Sequence, residues 1–386
     1  MNQDMRIAFL TPEYPHSQTG SSGGIGTSIK NLAKGLVTVG CSVRVLVYGQ
    51  TEESVFDDEG VIVQQIKNIK LKGISWYLTR KKLERIINTL HKNNKIDIVE
   101  APDWTGITSF ISPKKCPVVI RLHGSDTYFC NLDHRPVKWK NRFHEKRALL
   151  KADALLAVSQ FTADKTNEIF GINKQFTIIP NSIDVATFKK NEVRQEAPNT
   201  ILYFGSLIRK KGLLELPLIF NKVIKENSTA KLILIGKDVP DIISGSTSTW
   251  EMMQNLFSEK ALANTSYIGS VPYSEIKGYI EQASVCVFPS FAEALPVSWL
   301  EAMAMKKAIV ASNIGWGKEV VEDGISGFLV HPTQYQLFAE KLNLLLKNDV
   351  LAKQLGGNAR ERIEMVFNID KITAQNILFY KKTIEL

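Results

Sequence analysis

Cysteine is scarce in this chain, and its four copies, Cys41, Cys116, Cys130 and Cys286, lie far apart with no C-x-x-C spacing. A disulfide framework and a cysteine zinc cluster are therefore not expected, and free thiols filling the core are. Long apolar runs are missing too: nothing approaches the roughly 20 residues that a membrane-spanning helix needs. The stretch from Met1 to Pro12 offers only about six apolar positions before Thr11-Pro12, a strand's length and short of a signal-peptide core, so a cytoplasmic location is expected. There is no solenoid-period repeat and no low-complexity tract. What remains is an ordinary globular composition, 44% hydrophobic and 23% charged, spread over 386 residues. A single core rarely keeps growing to that size, so two domains are expected.

The net charge of +9 is unevenly placed. Residues 1–190 carry 27 Lys and Arg against 18 Asp and Glu, whereas residues 191–386 carry 21 against 21. The excess gathers in Lys67 to Lys72, in Arg80-Lys81-Lys82 and in Lys138 to Arg147. Such a field suits an anionic partner, for instance a membrane surface, a lipid pyrophosphate or an acidic glycan; equally, each run reads as a solvated helix face. No nucleic-acid-binding module accompanies it, and no nucleic-acid partner is expected. Trp76-Tyr77 beside Arg80-Lys81-Lys82, and Trp139 and Phe143 among cations, read either as interfacial anchors or as core aromatics.

Short apolar, β-branched runs alternate with longer amphipathic stretches in both halves, which is how the β-α units of a parallel sheet read. Strands are expected at 7–11, 42–48, 62–66, 96–100, 118–123, 154–158 and 177–179, and then at 201–204, 231–235, 265–268, 285–288, 308–311 and 327–330. Two doubly wound, Rossmann-like α/β domains follow, 1–184 and 200–370, joined by a linker at 185–199. A last helix over 371–386 carries Ile372, Ile377, Leu378 and Tyr380 toward one side.

Four segments carry chemistry. Gly20 to Ser28 follows the first strand and opens a helix, with Gly23, Gly24 and Gly26 at its centre. Its glycines do not fit G-x-G-x-x-G, and a phosphate or sugar loop and a merely flexible loop are both open readings. Arg121 to Asp126 ends another strand, where His123 can meet a sugar hydroxyl or a developing charge, or can simply cap the sheet. Phe204 to Gly212 places Arg209, Lys210 and Lys211 between a strand and a helix, a good setting for a diphosphate clamp, where the run by itself would read as a basic loop. In Phe288 to Ala304, Glu293 and Glu301 form an E-x7-E pair. Eight residues is slightly over two helical turns, so the two carboxylates are expected at the start and in the interior of one helix, where they can face one crevice and accept vicinal hydroxyls of a hexose and a ribose; equally, the first caps the helix and the second is simply buried.

The combination resembles glycosyltransferase family 4, the retaining GT-B enzymes, over nearly the whole chain. The resemblance is carried by Pro289-Ser290, Glu293, Leu300-Glu301-Ala302-Met303-Ala304, Ala308 to Ser312 and Glu319 to Val330, and by Ser159 to Thr162 and Pro180 to Asp184. It implies a GT-B fold, two Rossmann-like domains facing across a cleft and closing on the donor, with the last helix crossing back onto the first. It also implies a hexosyltransferase-type enzyme that moves a sugar from a nucleotide-diphosphate sugar to a glycan or lipid-linked acceptor, in bacterial surface polysaccharide or lipid-linked glycan synthesis. The work would be done in the cytoplasm or at the inner membrane face.

Position by position, Glu293 would hold the donor sugar and Glu301 the ribose, with His123 beside the transferred sugar and Gly23-Gly24 near the diphosphate. Ala294, Leu295, Pro296 and Val297 would line the diphosphate, Pro296 without an N–H to give. Lys211 matches the family's phosphate lysine. Ser206 stands where an arginine is usual, and Arg209 is the candidate substitute. Base and sugar choice is expected around Val271 and Gly315-Trp316-Gly317, and the acceptor side at Asp126 and Gly26. No cofactor beyond the donor and no protein-held metal is implied, in keeping with the lack of a D-x-D. The alternatives are a GT-B nucleotide-sugar epimerase and a non-catalytic nucleotide-sugar or glycan binder.

Overall fold

The structure, a computed structural model, describes residues 5–20, 22–189 and 197–385. It divides into two compact units, Met1–Ser182 with Ile369–Leu386, and Ile183–Asn368. The first unit thus ends at 182 where 184 was expected. Of the expected linker, 185–189 and 197–199 belong to the second unit, while 190–196 lie outside the described residues.

The first unit is built on eight strands: β1 (Arg6–Thr11), β2 (Ser42–Gln50), β3 (Ser54–Asp58), β4 (Val61–Lys67), β5 (Ile98–Pro102), β6 (Val118–Leu122), β7 (Ala154–Ala157) and β8 (Thr177–Ile178). They are ordered β3-β4-β2-β1-β5-β6-β7-β8. The central strands β1, β5 and β6 are buried almost throughout, as mainly apolar strands require when helices cover both faces, with Glu100 on β5 and Arg121 on β6 as buried charges. The helix Gly24–Thr38 lays Ile29, Leu32, Ala33 and Leu36 on the sheet at helical spacing.

Among these strands of the described residues only β3 runs antiparallel, paired with β4. Sequence reading missed it because it alternates exposed and half-buried residues and carries Asp57-Asp58. It forms because Glu59 and Gly60 both take positive φ, 55° and 87°, the geometry of a two-residue hairpin turn.

The helix Ile369–Ile384 completes this unit, burying Ile372, Ile377 and Tyr380. Leu378, expected on the same side, is exposed; one residue after Ile377, it lies about 100° further round the helix. Beneath the helix sits a buried polar network. Arg121 Nε and Nη2 donate to Glu100 Oε1 and Oε2 at 2.7 and 2.9 Å, and Nη1 donates to the Ile179 carbonyl at 3.2 Å. The helix adds two partners: Asn376 Oδ1 accepts from Arg121, and the Tyr380 hydroxyl donates to Glu100 Oε2 at 2.7 Å.

The second unit carries β9 (Thr200–Phe204), β10 (Lys231–Ile235), β11 (Thr265–Gly269), β12 (Val285–Phe288), β13 (Ile309–Ser312) and β14 (Phe328–Val330). They form a parallel sheet ordered β11-β10-β9-β12-β13-β14, third, second, first, fourth, fifth, sixth. The order in which strands are added reverses between β9 and β12. In an open α/β sheet that reversal opens a crevice at the strands' carboxyl ends, where ligands bind.

Candidate active site

The loops leaving β9 and β12 meet at that crevice. Gly212 closes the first with φ 70°, and a Cβ there would fall 1.9 Å from the Pro289 carbonyl oxygen, so only glycine lets the two loops touch. The contact is held by Phe291 and Ala292 N–H donating to the Lys210 carbonyl at 2.8 and 3.2 Å. It delivers Lys211 to Glu293: Lys211 Nζ lies 2.9 Å from Glu293 Oε1, which also accepts from Ser290 Oγ at 3.1 Å. The two expected motifs are thus one cluster.

Glu293 is not on a helix, contrary to the reading of the E-x7-E spacing. The helix runs Val297–Ala304 and starts after Pro296, with no side-chain cap. Pro289 and Pro296 bracket Glu293, and their fixed φ and missing N–H suit an extended loop and a helix start. Ala294, Leu295 and Pro296 form the buried turn into the helix.

Glu301, in its second turn, is 4% exposed. Burial pushes its carboxyl up to about 7, against the Tyr273 hydroxyl, which donates to Oε1, and the nearby Lys211 charge. Lys211 therefore bonds one glutamate and acts on the other. Tyr273 was missed by sequence reading. Its signal was faint, an aromatic two residues beyond the half-buried Val271 at the start of the helix Tyr273–Gln282.

Arg209 is engaged elsewhere. Its guanidinium forks onto the buried Asp241, Nε to Oδ1 at 2.9 Å and Nη2 to Oδ2 at 2.7 Å. Hydrogen bonds from Arg209 and Ser244 hold the Asp241 carboxyl well below the usual range. The expected stand-in for the arginine missing at Ser206 thus has a carboxylate of its own.

In the first unit, His123 follows β6, and its N–H donates to Asp103 Oδ1 at 2.9 Å. Burial and the Arg121 cation lower its pKa to about 3, so the imidazole is neutral near pH 7. Asp126 opens the helix Asp126–Leu132, with its N–H on Glu145 Oε1 at 2.9 Å and its Oδ2 accepting from Asn141 at 2.8 Å. Burial lifts Asp103 and Glu145 to about 7 each.

Gly23 caps the helix Gly24–Thr38, and the Gly26 N–H donates to the Glu13 carboxylate at 2.9 Å. This helix start thus already faces a protein carboxylate, which sequence reading did not foresee. Among the described residues no group of three or more His, Cys, Asp or Glu is placed to hold a metal ion.

Trp76, Tyr77, Trp139 and Phe143 are exposed, which removes the core-aromatic reading. Ring contacts run from Trp76 to Phe110 (5.6 Å) and His144 (5.0 Å) and on to Phe143. Arg147 and Arg80 lie over Phe110 and Trp76 at 4.2 and 5.4 Å. Exposed Leu71, Ile74, Lys70, Lys72, Lys138 and Lys140 lie beside these rings in sequence. Among the described residues no helix is long and apolar enough to cross a membrane.

Residues 22–187 match the family described as Glycosyltransferase Family 4, and residues 184–362 the family described as Glycosyl transferases group 1. The chain belongs to the family 4 type of glycosyltransferases. It is 25% identical over 416 residues to an alpha-maltose-1-phosphate synthase of Mycolicibacterium smegmatis, covering 98% of this chain and 99% of that protein. It is 23% identical over 362 residues to an uncharacterized glycosyltransferase of Methanocaldococcus jannaschii, covering 92% and 93%. Sucrose-phosphate synthase from Thermosynechococcus elongatus superposes with TM-score 0.78 at 18% identity, covering 98% of both chains. Anabaena HepE in complex with UDP-glucose gives 0.74 at 19% identity, covering 98% of this chain and 100% of that one. The fold is GT-B.

Proposed function

We propose that this chain transfers a sugar from a nucleoside diphosphate sugar to an acceptor hydroxyl with retention of anomeric configuration and without a protein-held metal. The observation that carries this reading is the meeting of Glu293, Lys211 and Glu301 at the switch point, beside a helix start that no side chain caps. Each group suits one part of such a donor. Glu301 accepts the ribose hydroxyls and Glu293 those of the sugar. An ammonium has three N–H donors, and Lys211 spends one on Glu293, so it has charge and donors to offer a diphosphate. The helix macrodipole, with Leu295 and Val297 N–H at its start, adds to that field. HepE, with UDP-glucose bound, is consistent with such a donor.

In the reaction the bond from the anomeric carbon to the diphosphate oxygen breaks, and the acceptor oxygen bonds the same face. The acceptor's proton passes to the leaving phosphate. Charge building on the diphosphate is stabilised by Lys211 and the helix start. On the first unit we assign the neutral imidazole of His123 to the transferred sugar and Gly23-Gly24 to the diphosphate side, with Asp126 and Gly26 toward the acceptor. Arg209 braces the β9 loop through Asp241 and is at most an accessory to the phosphates.

The test is incubation with UDP-, GDP-, ADP- and dTDP-sugars in EDTA, after thermal-shift screening has chosen the donor. An α-linked product from an α-donor supports the reading. An inverted product or loss of transfer on chelation overturns it. Isomerised donor without acceptor would point to an epimerase, and binding without release of the diphosphate to a non-catalytic binder.

The exposed aromatic cluster, with cations stacked on its rings, favours a second element of the reading: docking of the first unit at an anionic inner membrane face, beside a lipid-linked acceptor. Vesicles containing phosphatidylglycerol should sediment the protein where pure phosphatidylcholine does not, less so at high salt, and Trp76→Ala with Phe143→Ala should weaken this several-fold. Equal sedimentation on both lipids would remove the membrane from the picture.

A further inference from the structure

Glu301 is held from a direction that no motif announces. Tyr273, whose hydroxyl donates to Glu301 Oε1, has its ring edge-on to Phe188 at a centroid distance of 6.2 Å. Phe188 ends the turn that begins at Val185, and Arg360 grips that turn by donating to the Val185 carbonyl at 3.1 Å and the Phe188 carbonyl at 2.8 Å. The same guanidinium donates to the carbonyl of Ala304 at 2.8 Å, at the end of Glu301's own helix. One arginine therefore ties the turn against which the tyrosine ring leans to the helix that carries the glutamate. Among the described residues the Glu301 side chain accepts one hydrogen bond, at Oε1.

We propose that Tyr273 is a positioning residue for nucleotide recognition: by engaging Oε1 it fixes the rotamer of Glu301 and presents Oε2 to the vicinal hydroxyls of a nucleotide ribose. This rests on the assignment of Glu301 to the ribose. The electrostatics agree with it. Burial works to protonate Glu301, and the Tyr273 hydrogen bond and the Lys211 charge work against that. Asp184 acts on Tyr273, and Glu293 is the other partner of Lys211. A carboxylate accepts stronger hydrogen bonds than its acid, so removing the phenol hydroxyl costs ribose recognition twice, in orientation and in ionisation. The ionisation loss is recovered as pH rises and the carboxyl deprotonates. The orientation loss is not.

The test is a double-mutant cycle of Tyr273→Phe and Glu301→Gln. Titrate UDP, GDP and ADP, each beside its 2′-deoxy counterpart, between pH 6 and 9. For the diphosphate that the wild-type chain binds, a ribose preference of about tenfold or more is expected. Y273F should lose most of that preference at pH 7 and regain part of its affinity by pH 9, while the second substitution should add little to the first, because the tyrosine acts through the glutamate. In turnover the Y273F defect should fall mainly on donor KM. Unchanged ribose preference and pH profile in Y273F, or additive losses in the cycle, would overturn the role of Tyr273 alone. A wild-type chain that binds these diphosphates without preferring ribose would overturn Glu301 as the ribose carboxylate, and one that binds none of them would overturn the donor reading itself.

Discussion

Glu293→Ala is expected to lower sugar transfer by at least roughly a hundredfold, the scale set by removing a preorganised polar group from a reacting centre. The fold should survive. Lys211, which loses its 2.9 Å partner, keeps 21% of its side chain in contact with solvent, so its charge is not stranded in the core. Ser290 loses only one acceptor. The measurement is kcat and KM on the donor chosen by thermal shift, with the melting temperature of the unliganded protein alongside. Glu293→Gln keeps the shape but not the charge, and should bind donor better than the alanine variant while remaining slow. Transfer by E293A within tenfold of wild type would remove Glu293 from the reaction.

Glu100→Ala is expected to be the most damaging substitution for stability, about 3–5 kcal/mol, because it leaves a buried guanidinium without its counter-charge. Arg121 is 3% exposed and Glu100 2%. Tyr380 also loses the acceptor of its hydroxyl. Urea unfolding measures the loss, and amide exchange should rise along Ile369–Ile384. The double variant Glu100→Leu with Arg121→Met should recover much of the loss, since replacing a whole buried ion pair by apolar groups of similar size is far milder than breaking it. A loss below about 1 kcal/mol in E100A would mean that the pair is of little consequence to the unit.

Much of the sheet framework could be read directly, because parallel strands buried on both faces appear as unbroken apolar runs, as in Ile7–Leu10 or Val285–Phe288. β3 could not, since its half-wet edge position is set by the Glu59-Gly60 turn rather than by its own pattern. In the second unit, Glu293, Glu301 and Lys211 were each visible as motif residues. Their meeting was not: it depends on Gly212 pressing against Pro289, two positions 77 residues apart. Arg209 was read by proximity alone, and Asp241, which claims it, lies in a separate loop after β10. Tyr273 escaped because a single aromatic at a helix start carries no spacing to notice. The Glu100, Arg121 and Tyr380 network was hidden for the plainest reason, 280 positions separating its two hydrogen-bonded ends.

That separation bears on how the molecule is made. The first unit is discontinuous: its sheet is complete by Ile178, and Arg121 and Glu100 pair within it, yet two further partners, Asn376 and Tyr380, arrive only with the last helix. Domains usually fold in the order in which they leave the ribosome. Here that order is open to inversion, because Ile183–Asn368 is a continuous stretch that can close while the earlier unit still lacks the helix over its buried ion pair. For that interval the half-finished unit is the species most exposed to aggregation, and chaperones have most reason to hold it.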